Sequence, residues 1–132
     1  MPKQTVSTDQ APVAVGPYSQ AVRTGDTIYT AGQIGLLPGT REFAGPDIAS
    51  QTRQVLLNIQ AIVEAAGSCL DHVVKTTVFL QDIGDWPAMN QVYGEFFSVD
   101  APARSAMQVG ALPLGARVEI EAVAVACDCA KD

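Results

Sequence analysis

The sequence predicts an α+β fold in which a mixed sheet of five or six strands carries two helices on one face. Three observations lead there. β-prone and amphipathic runs follow the order strand, strand, helix, strand, helix, strand, strand. Only two segments have helical periodicity, and two helices of that size cover one face of such a sheet. With 132 residues, 48% hydrophobic and 17% charged, the chain has enough apolar material for a packed core in one domain spanning 1–132.

Residues 1–15 read as an extended lead-in, because Pro12 and Pro17 exclude a helix. Ser19 to Arg23 and Thr27 to Ala31 are short strands around the turn Thr24-Gly25-Asp26. Gly32 ends the second. Residues 35–46 hold Gly35, Pro38, Gly39, Gly45 and Pro46 and form a loop, the stretch best suited to mobility.

Asp47 caps a helix running to about Ala66, with Gly67 as its stop. Ile48, Thr52, Val55, Leu56, Ile59, Ile62, Val63 and Ala66 form its buried stripe, while Arg53, Asn58, Gln60 and Glu64 are expected to face outward. His72, the only histidine, falls in the connection to the next strand and reads as a solvent-facing loop residue. Val73 to Leu80 is β-branched enough for a central strand. Asp85 caps the second helix, with Trp86 and Pro87 in its first turn and Met89, Val92, Tyr93, Phe96 and Phe97 on its apolar face.

The last two strands lie in Ala101–Val109 and Arg117–Val125, separated by Gly110, Pro113 and Gly115. Arg104 stands at the start of one and Glu119 near the start of the other. Adjacent pairing of these strands would bring both charges to one site. The pair admits two readings: a structural bridge from Arg104 to Glu119 or Glu121, or a small-anion site with a proton-handling carboxylate. Both faces of the final strand carry apolar residues, which calls for a covering partner chain on the side the helices leave open.

A net charge of −6 with no Lys/Arg cluster argues against a nucleic-acid partner. No apolar run is long enough to span a bilayer and the N-terminus lacks a signal peptide's apolar core, so the expected location is cytoplasmic. Cys69, Cys127 and Cys129 suit a reduced compartment. Strand alternation would put Cys127 and Cys129 on one face, but two thiols without further donors make a poor zinc site, so no metal is expected. No triad, dinucleotide fingerprint or phosphate loop occurs. What remains is an arginine, a glutamate, backbone groups and tyrosine walls, a set suited to holding a small carboxylic acid and one water.

The run from Pro102 to Ala124 resembles the signature of the RidA/YjgF family, the reactive-intermediate deaminases. Gly16-Pro17-Tyr18-Ser19-Gln20, Thr30-Ala31-Gly32-Gln33-Ile34, Glu64-Ala65-Ala66-Gly67, Val74 to Leu80 and the helix bearing Asn90, Tyr93, Phe96 and Phe97 match the same family in the same order. The resemblance implies a chorismate-mutase-like homotrimer with the sheets forming a central barrel and a ligand cleft at each subunit interface. It implies a 2-iminobutanoate/2-iminopropanoate deaminase that converts the reactive products of pyridoxal-phosphate enzymes to 2-keto acids and ammonia, with no cofactor of its own. Arg104 would grip the substrate carboxylate and Glu119 would position the attacking water, with Tyr18, Ala31, Gly32, Asn90 and Ala106 lining the ligand. The alternatives are a non-catalytic binder of 2-keto acids and a chaperone-like stress protein. Some relatives have been described as ribonucleases, which the acidic charge balance disfavours here.

Three departures from the family pattern stand out. Ala31 replaces a frequent serine, Ala106 replaces a frequent cysteine, and Ser98-Val99-Asp100-Ala101 is a short form of the preceding loop. Ala106 rules out a thiol nucleophile at that position but leaves main-chain contacts intact.

Overall fold

The computed structural model describes residues 2–127. Its elements are β1 (Lys3–Val6), β2 (Ala21–Thr24), β3 (Thr27–Thr30), β4 (Gln33–Ile34), α1 (Ile48–Ala65), β5 (Val73–Leu80), α2 (Trp86–Phe96), β6 (Ala103–Gln108) and β7 (Val118–Val125). The seven strands form one mixed sheet in the order β1-β2-β3-β7-β5-β6, with β4 also on β7. The α+β expectation holds. The strands beyond the five in the predicted order are short: β1 comes from the lead-in, and β4 is two residues long.

Thr24 pairs with Thr27, so Gly25 and Asp26 make a two-residue hairpin turn, and Gly25 takes φ +57°. Asp47 caps α1 by accepting the backbone N–H of Ser50 at 2.9 Å. At the other end Gly67 takes φ +94°, a conformation only glycine adopts without strain. The predicted stripe of α1, from Ile48 to Ala66, is buried against the sheet together with Ile28, Val78, Val118, Ile120 and Ala124. α2 adds Met89, Val92, Tyr93 and Phe97 to the buried set.

Asn58 is a correction. Expected on the outer face of α1, it is fully buried, because its amide serves the strand–loop junction beside the helix. Its Nδ2 donates to the carbonyls of Leu36 at 3.0 Å and Ile34 at 3.3 Å, and its Oδ1 accepts from Gln54 at 2.9 Å. Gln51 is buried for the same reason, donating to the Gly45 carbonyl and accepting the Arg117 N–H. Burial is tolerated where each polar atom has a partner.

The expected pairing of the last two strands is also corrected. β5 lies between them, parallel to β6 and antiparallel to β7. α2 supplies the crossover that a parallel β5–β6 pair requires. This places β6, and with it Arg104, on the edge of the sheet.

Candidate functional site: a carboxylate cleft and a separate arginine

β3 and β4 both pair with β7, but out of step. Tyr29 faces Val123 and Gln33 faces Ile120, so four residues on one side span three on the other. The extra residue falls at Thr30-Ala31-Gly32 and forms a bulge. Thr30 Oγ1 accepts the Ala122 N–H at 3.0 Å there, and the Ala31 N–H donates to the Gln20 carbonyl at 2.8 Å.

Gly32 lies directly beside Glu119. A Cβ built on Gly32 would overlap the Glu119 carboxylate, with Cδ only 2.9 Å away. The carboxylate therefore occupies the space that any other residue at position 32 would fill. Glu119 belongs to the half of β7 that faces away from the helices, since Val118 and Ile120 on either side of it are in the core. Burial pushes its pKa up, and the nearby Glu121 carboxylate adds to the effect.

Around Glu119 opens a cleft of about 540 Å³ lined by Val13, Tyr18, Ala31, Gly32, Arg41 and Leu114, among others. Its volume suits a small molecule. Gln20 holds the outer wall: its side chain accepts from Thr8 N–H at 2.7 Å and donates to the Pro12 carbonyl at 2.7 Å. Tyr18 is 54% exposed and its hydroxyl accepts the Val15 N–H at 3.3 Å, so the ring forms a wall and not part of the core. Sequence reasoning passed over Arg41, an isolated cation in a Gly/Pro loop with no motif around it. The antiparallel bridge Leu36–Phe43 folds that loop back on itself, with Arg41 at its tip beside the cleft.

Arg104 is elsewhere. It pairs in register with Thr76, whose neighbours in alternation, Val78 and Leu80, point into the helix-side core. Its guanidinium lies over the rings of Tyr93 and Trp86, with Cζ 4.7 and 5.0 Å from their centroids. Such stacking holds a guanidinium by cation–π attraction and leaves its N–H fork available. Among the described residues no carboxylate lies within ion-pair distance of Arg104, and Arg117 pairs with Asp85 instead. The structural bridge to Glu119 or Glu121 does not form.

Tyr93 is itself anchored, its hydroxyl 2.7 Å from Thr76 Oγ1 in the buried layer. Burial raises its pKa, against the lowering effects of Thr76 and Arg104. Asn90 stands one helical turn from both Trp86 and Tyr93 and so shares their face of α2. Ala106 pairs with Val78, two residues along β6 on the same face as Arg104.

The predicted residues thus fall into two groups. Tyr18, Ala31, Gly32 and Glu119 line one cleft; Arg104, Asn90 and Ala106 lie on the helix side of the sheet. Within one chain the sheet separates them, which overturns the expectation that strand adjacency joins Arg104 to Glu119.

One further cluster was not foreseen. The strand β7 ends at Val125, and Cys127 lies beyond it, beside Cys69 and His72. The expectation for the Cys127/Cys129 pair falls partly outside the described residues, because Cys129 does.

Comparison with known proteins sets this geometry in context. Residues 8–126 match the family model described as Endoribonuclease L-PSP. A RutC family protein of Pyrococcus horikoshii is 49% identical over 122 residues, covering 92% of this chain and 97% of that protein. The human 2-iminobutanoate/2-iminopropanoate deaminase is 47% identical over 123 residues, covering 93% and 90%. The crystal structure of E. coli TdcF with bound serine superposes with a TM-score of 0.90 at 41% identity, covering 94% of this chain and 99% of that one. Identity at this level along almost the whole chain, with the fold preserved, means that the protein belongs to the Endoribonuclease L-PSP family, the family of YjgF and RidA.

Proposed function

We propose that this chain, acting as a single RidA-like domain in the cytosol, is a 2-iminobutanoate/2-iminopropanoate deaminase. The observation that carries the reading is the Glu119 carboxylate in its cleft, together with an arginine that the fold holds ready without a carboxylate partner among the described residues. The deaminase names borne by relatives at about this identity support it.

The reaction adds water to the C=N carbon of a 2-imino acid and expels ammonia, leaving a 2-keto acid. Arg104 binds the substrate carboxylate through paired charge-assisted hydrogen bonds. Glu119 orients the attacking water, takes its first proton and passes it to the nitrogen. It then takes the remaining proton from the hydroxyl of the tetrahedral intermediate and delivers it to the nitrogen as the C–N bond breaks, releasing ammonia and the 2-keto acid. A raised pKa suits this exchange, since a carboxylate closer to the working pH both accepts and returns a proton readily. Tyr18 and the backbone at Ala31, Gly32 and Ala106 bound the substrate, and Asn90 contributes from the face of α2 that carries Trp86 and Tyr93. The imines also hydrolyse unaided, so the demand is modest: each tenfold acceleration takes about 1.4 kcal/mol of transition-state stabilisation.

The separation of the two groups within a chain supports a site shared between subunits. In a homotrimer with interface clefts, the arginine side of one protomer closes the carboxylate cleft of its neighbour. The edge position of β6 and the exposed apolar groups Tyr29, Val74, Met107 and Val125 favour such an assembly.

The test is a coupled assay in which threonine dehydratase or an amino-acid oxidase generates the imine and 2-keto acid release is followed. Wild type accelerates release and Arg104→Ala does not. If wild type gives no acceleration but binds 2-keto acids, the protein is a binder and not a deaminase.

A further inference from the structure

At the end of β7 opposite to Glu119, three soft donor atoms converge. Cys69 Sγ lies 3.3 Å from His72 Nδ1 and 3.8 Å from Cys127 Sγ. All three ligand atoms are within 4.8 Å of one another. Cys69 and Cys127 are half-buried and His72 is exposed.

The backbone presets this arrangement. Cys69 immediately precedes the 3-10 turn Leu70–His72, whose three-residue period brings positions 69 and 72 to the same side. Cys127 is brought in by its own N–H, which donates to the Gly67 carbonyl at 2.9 Å, and by Ser68 Oγ, which donates to the Val125 carbonyl at 2.7 Å. Arg23 fastens the same corner by donating to the Ala66 carbonyl at 2.9 Å.

We propose that the reduced chain binds one Zn²⁺ at this corner through Cys69 Sγ, His72 Nδ1 and Cys127 Sγ. Two thiolates and an imidazole select zinc or a similarly soft ion over magnesium or calcium. A tetrahedral ion with Zn–S of about 2.3 Å and Zn–N of about 2.0–2.1 Å requires an S···S edge of about 3.8 Å and an S···N edge of about 3.5 Å. The Cys69–Cys127 distance of 3.8 Å meets the first, the Cys69–His72 distance of 3.3 Å falls slightly short of the second, and the Cys127–His72 pair, within 4.8 Å, adjusts to the same edge on binding. Three protein ligands leave the fourth position for water or a further donor. Roughly 20 Å of strand separates the corner from Glu119, so the ion clamps the end of β7 to the α1–β5 connection and takes no part in the cleft.

Neither Cys69 nor Cys127 is a free thiol in the structure, so the experiment uses the full chain, stripped of metal and kept fully reduced in a phosphine reductant. Zinc is titrated against a chromophoric chelator, and Co²⁺ is added separately as a spectroscopic probe. One equivalent of zinc per chain is expected, with thiolate-to-cobalt charge-transfer absorption and the visible bands of tetrahedral cobalt. Cys69→Ser and Cys127→Ser abolish both signals, and the exposed His72→Asn, which leaves the fold intact, weakens zinc binding by more than about tenfold. Zinc raises the thermal midpoint of wild type and not of Cys69→Ser. The proposal is overturned if the reduced chain binds no stoichiometric zinc, if the cysteine variants keep full affinity, or if cobalt shows an octahedral, oxygen-ligated spectrum.

Discussion

Gly32 and Glu119 share one space: the carboxylate fills the volume where any side chain at position 32 would begin. The bulge at residues 30–32 sets the glycine against the strand at that point, and the glycine in turn leaves room for the carboxylate in the cleft. Gly32→Ala is therefore expected to displace Glu119 and lower kcat/KM by at least about tenfold, with a stability change of less than about 1 kcal/mol. In a Glu119→Gln background the same substitution should add little, because the group it displaces has already been disabled. Steady-state kinetics on the two single variants and the double variant measures that coupling.

Loss of Arg104 tests the other half of the site. A charged hydrogen-bond partner is worth about 1.5–3 kcal/mol, so Arg104→Ala should lower kcat/KM by one to two orders of magnitude or more while the chain stays folded. Arg104→Lys should recover little, since a point charge lacks the paired donors. Full activity in either variant would remove Arg104 from the mechanism.

Glu119 should leave a mark on pH dependence. Its folded pKa is raised by burial, so the folded protein holds that proton to a higher pH than the unfolded chain does. Stability then falls as pH rises from the ordinary glutamate range through the raised folded value. Glu119→Gln should therefore melt higher than wild type at neutral pH, with the advantage shrinking towards acid and vanishing below both pKa values. Thermal melts from pH 3 to pH 8 read this directly (a working range of about five units). In wild type the acid limb of kcat/KM should lie above the usual carboxylate range, and Glu119→Gln should lack it.

Tyr93 joins stability to position. Tyr93→Phe keeps a ring beneath Arg104 but leaves Thr76 Oγ1 without its buried partner, at a cost of about 1–2 kcal/mol. Activity should survive at permissive temperature. Tyr93→Leu removes the ring as well, and should raise KM more than it changes kcat as the guanidinium loses its platform. Denaturant melts and kinetics on the pair separate the two effects.

A mixed assembly offers a more direct check on the shared site. Arg104→Ala and Glu119→Gln chains, each strongly impaired alone, should regain part of wild-type turnover when unfolded together and refolded. Each mixed interface of the right orientation pairs one intact arginine with one intact carboxylate. Absence of any recovery, with mixed oligomers shown to form, would place both groups in a site within one chain.

Much of the fold was legible because its signals are local. The stripe of α1, the Asp47 cap, the Gly25 turn and the β-branched run of β5 each rest on residues close in sequence. Pairing partners were not legible. β6 and β7 are neighbours along the chain, and only the insertion of β5, set by the α2 crossover, moves Arg104 to the far edge and the opposite face. Asn58 deceived for a related reason: its partners, the carbonyls of Ile34 and Leu36, lie more than twenty residues away. The sulfur corner shows the same limit, since Cys69 and Cys127 are 58 positions apart. Residue types suggest a chemistry, but only the topology says which of them meet.

The parallel pairing of β5 with β6 has a consequence for how this chain can change. Everything that holds the arginine, from Thr76 through Trp86 and Tyr93 to Arg104 itself, lies in the unbroken stretch 73–108. The carboxylate cleft is drawn from both sides of that stretch, from residues 12–41 and 113–119. Under the proposed mechanism, the grip on the acid group and the shape of the pocket are therefore separate cassettes of sequence. Substrate range can be altered in the flanking segments while the anion anchor passes unchanged, and a graft of residues 73–108 would carry that anchor, its rings and its helix as one piece.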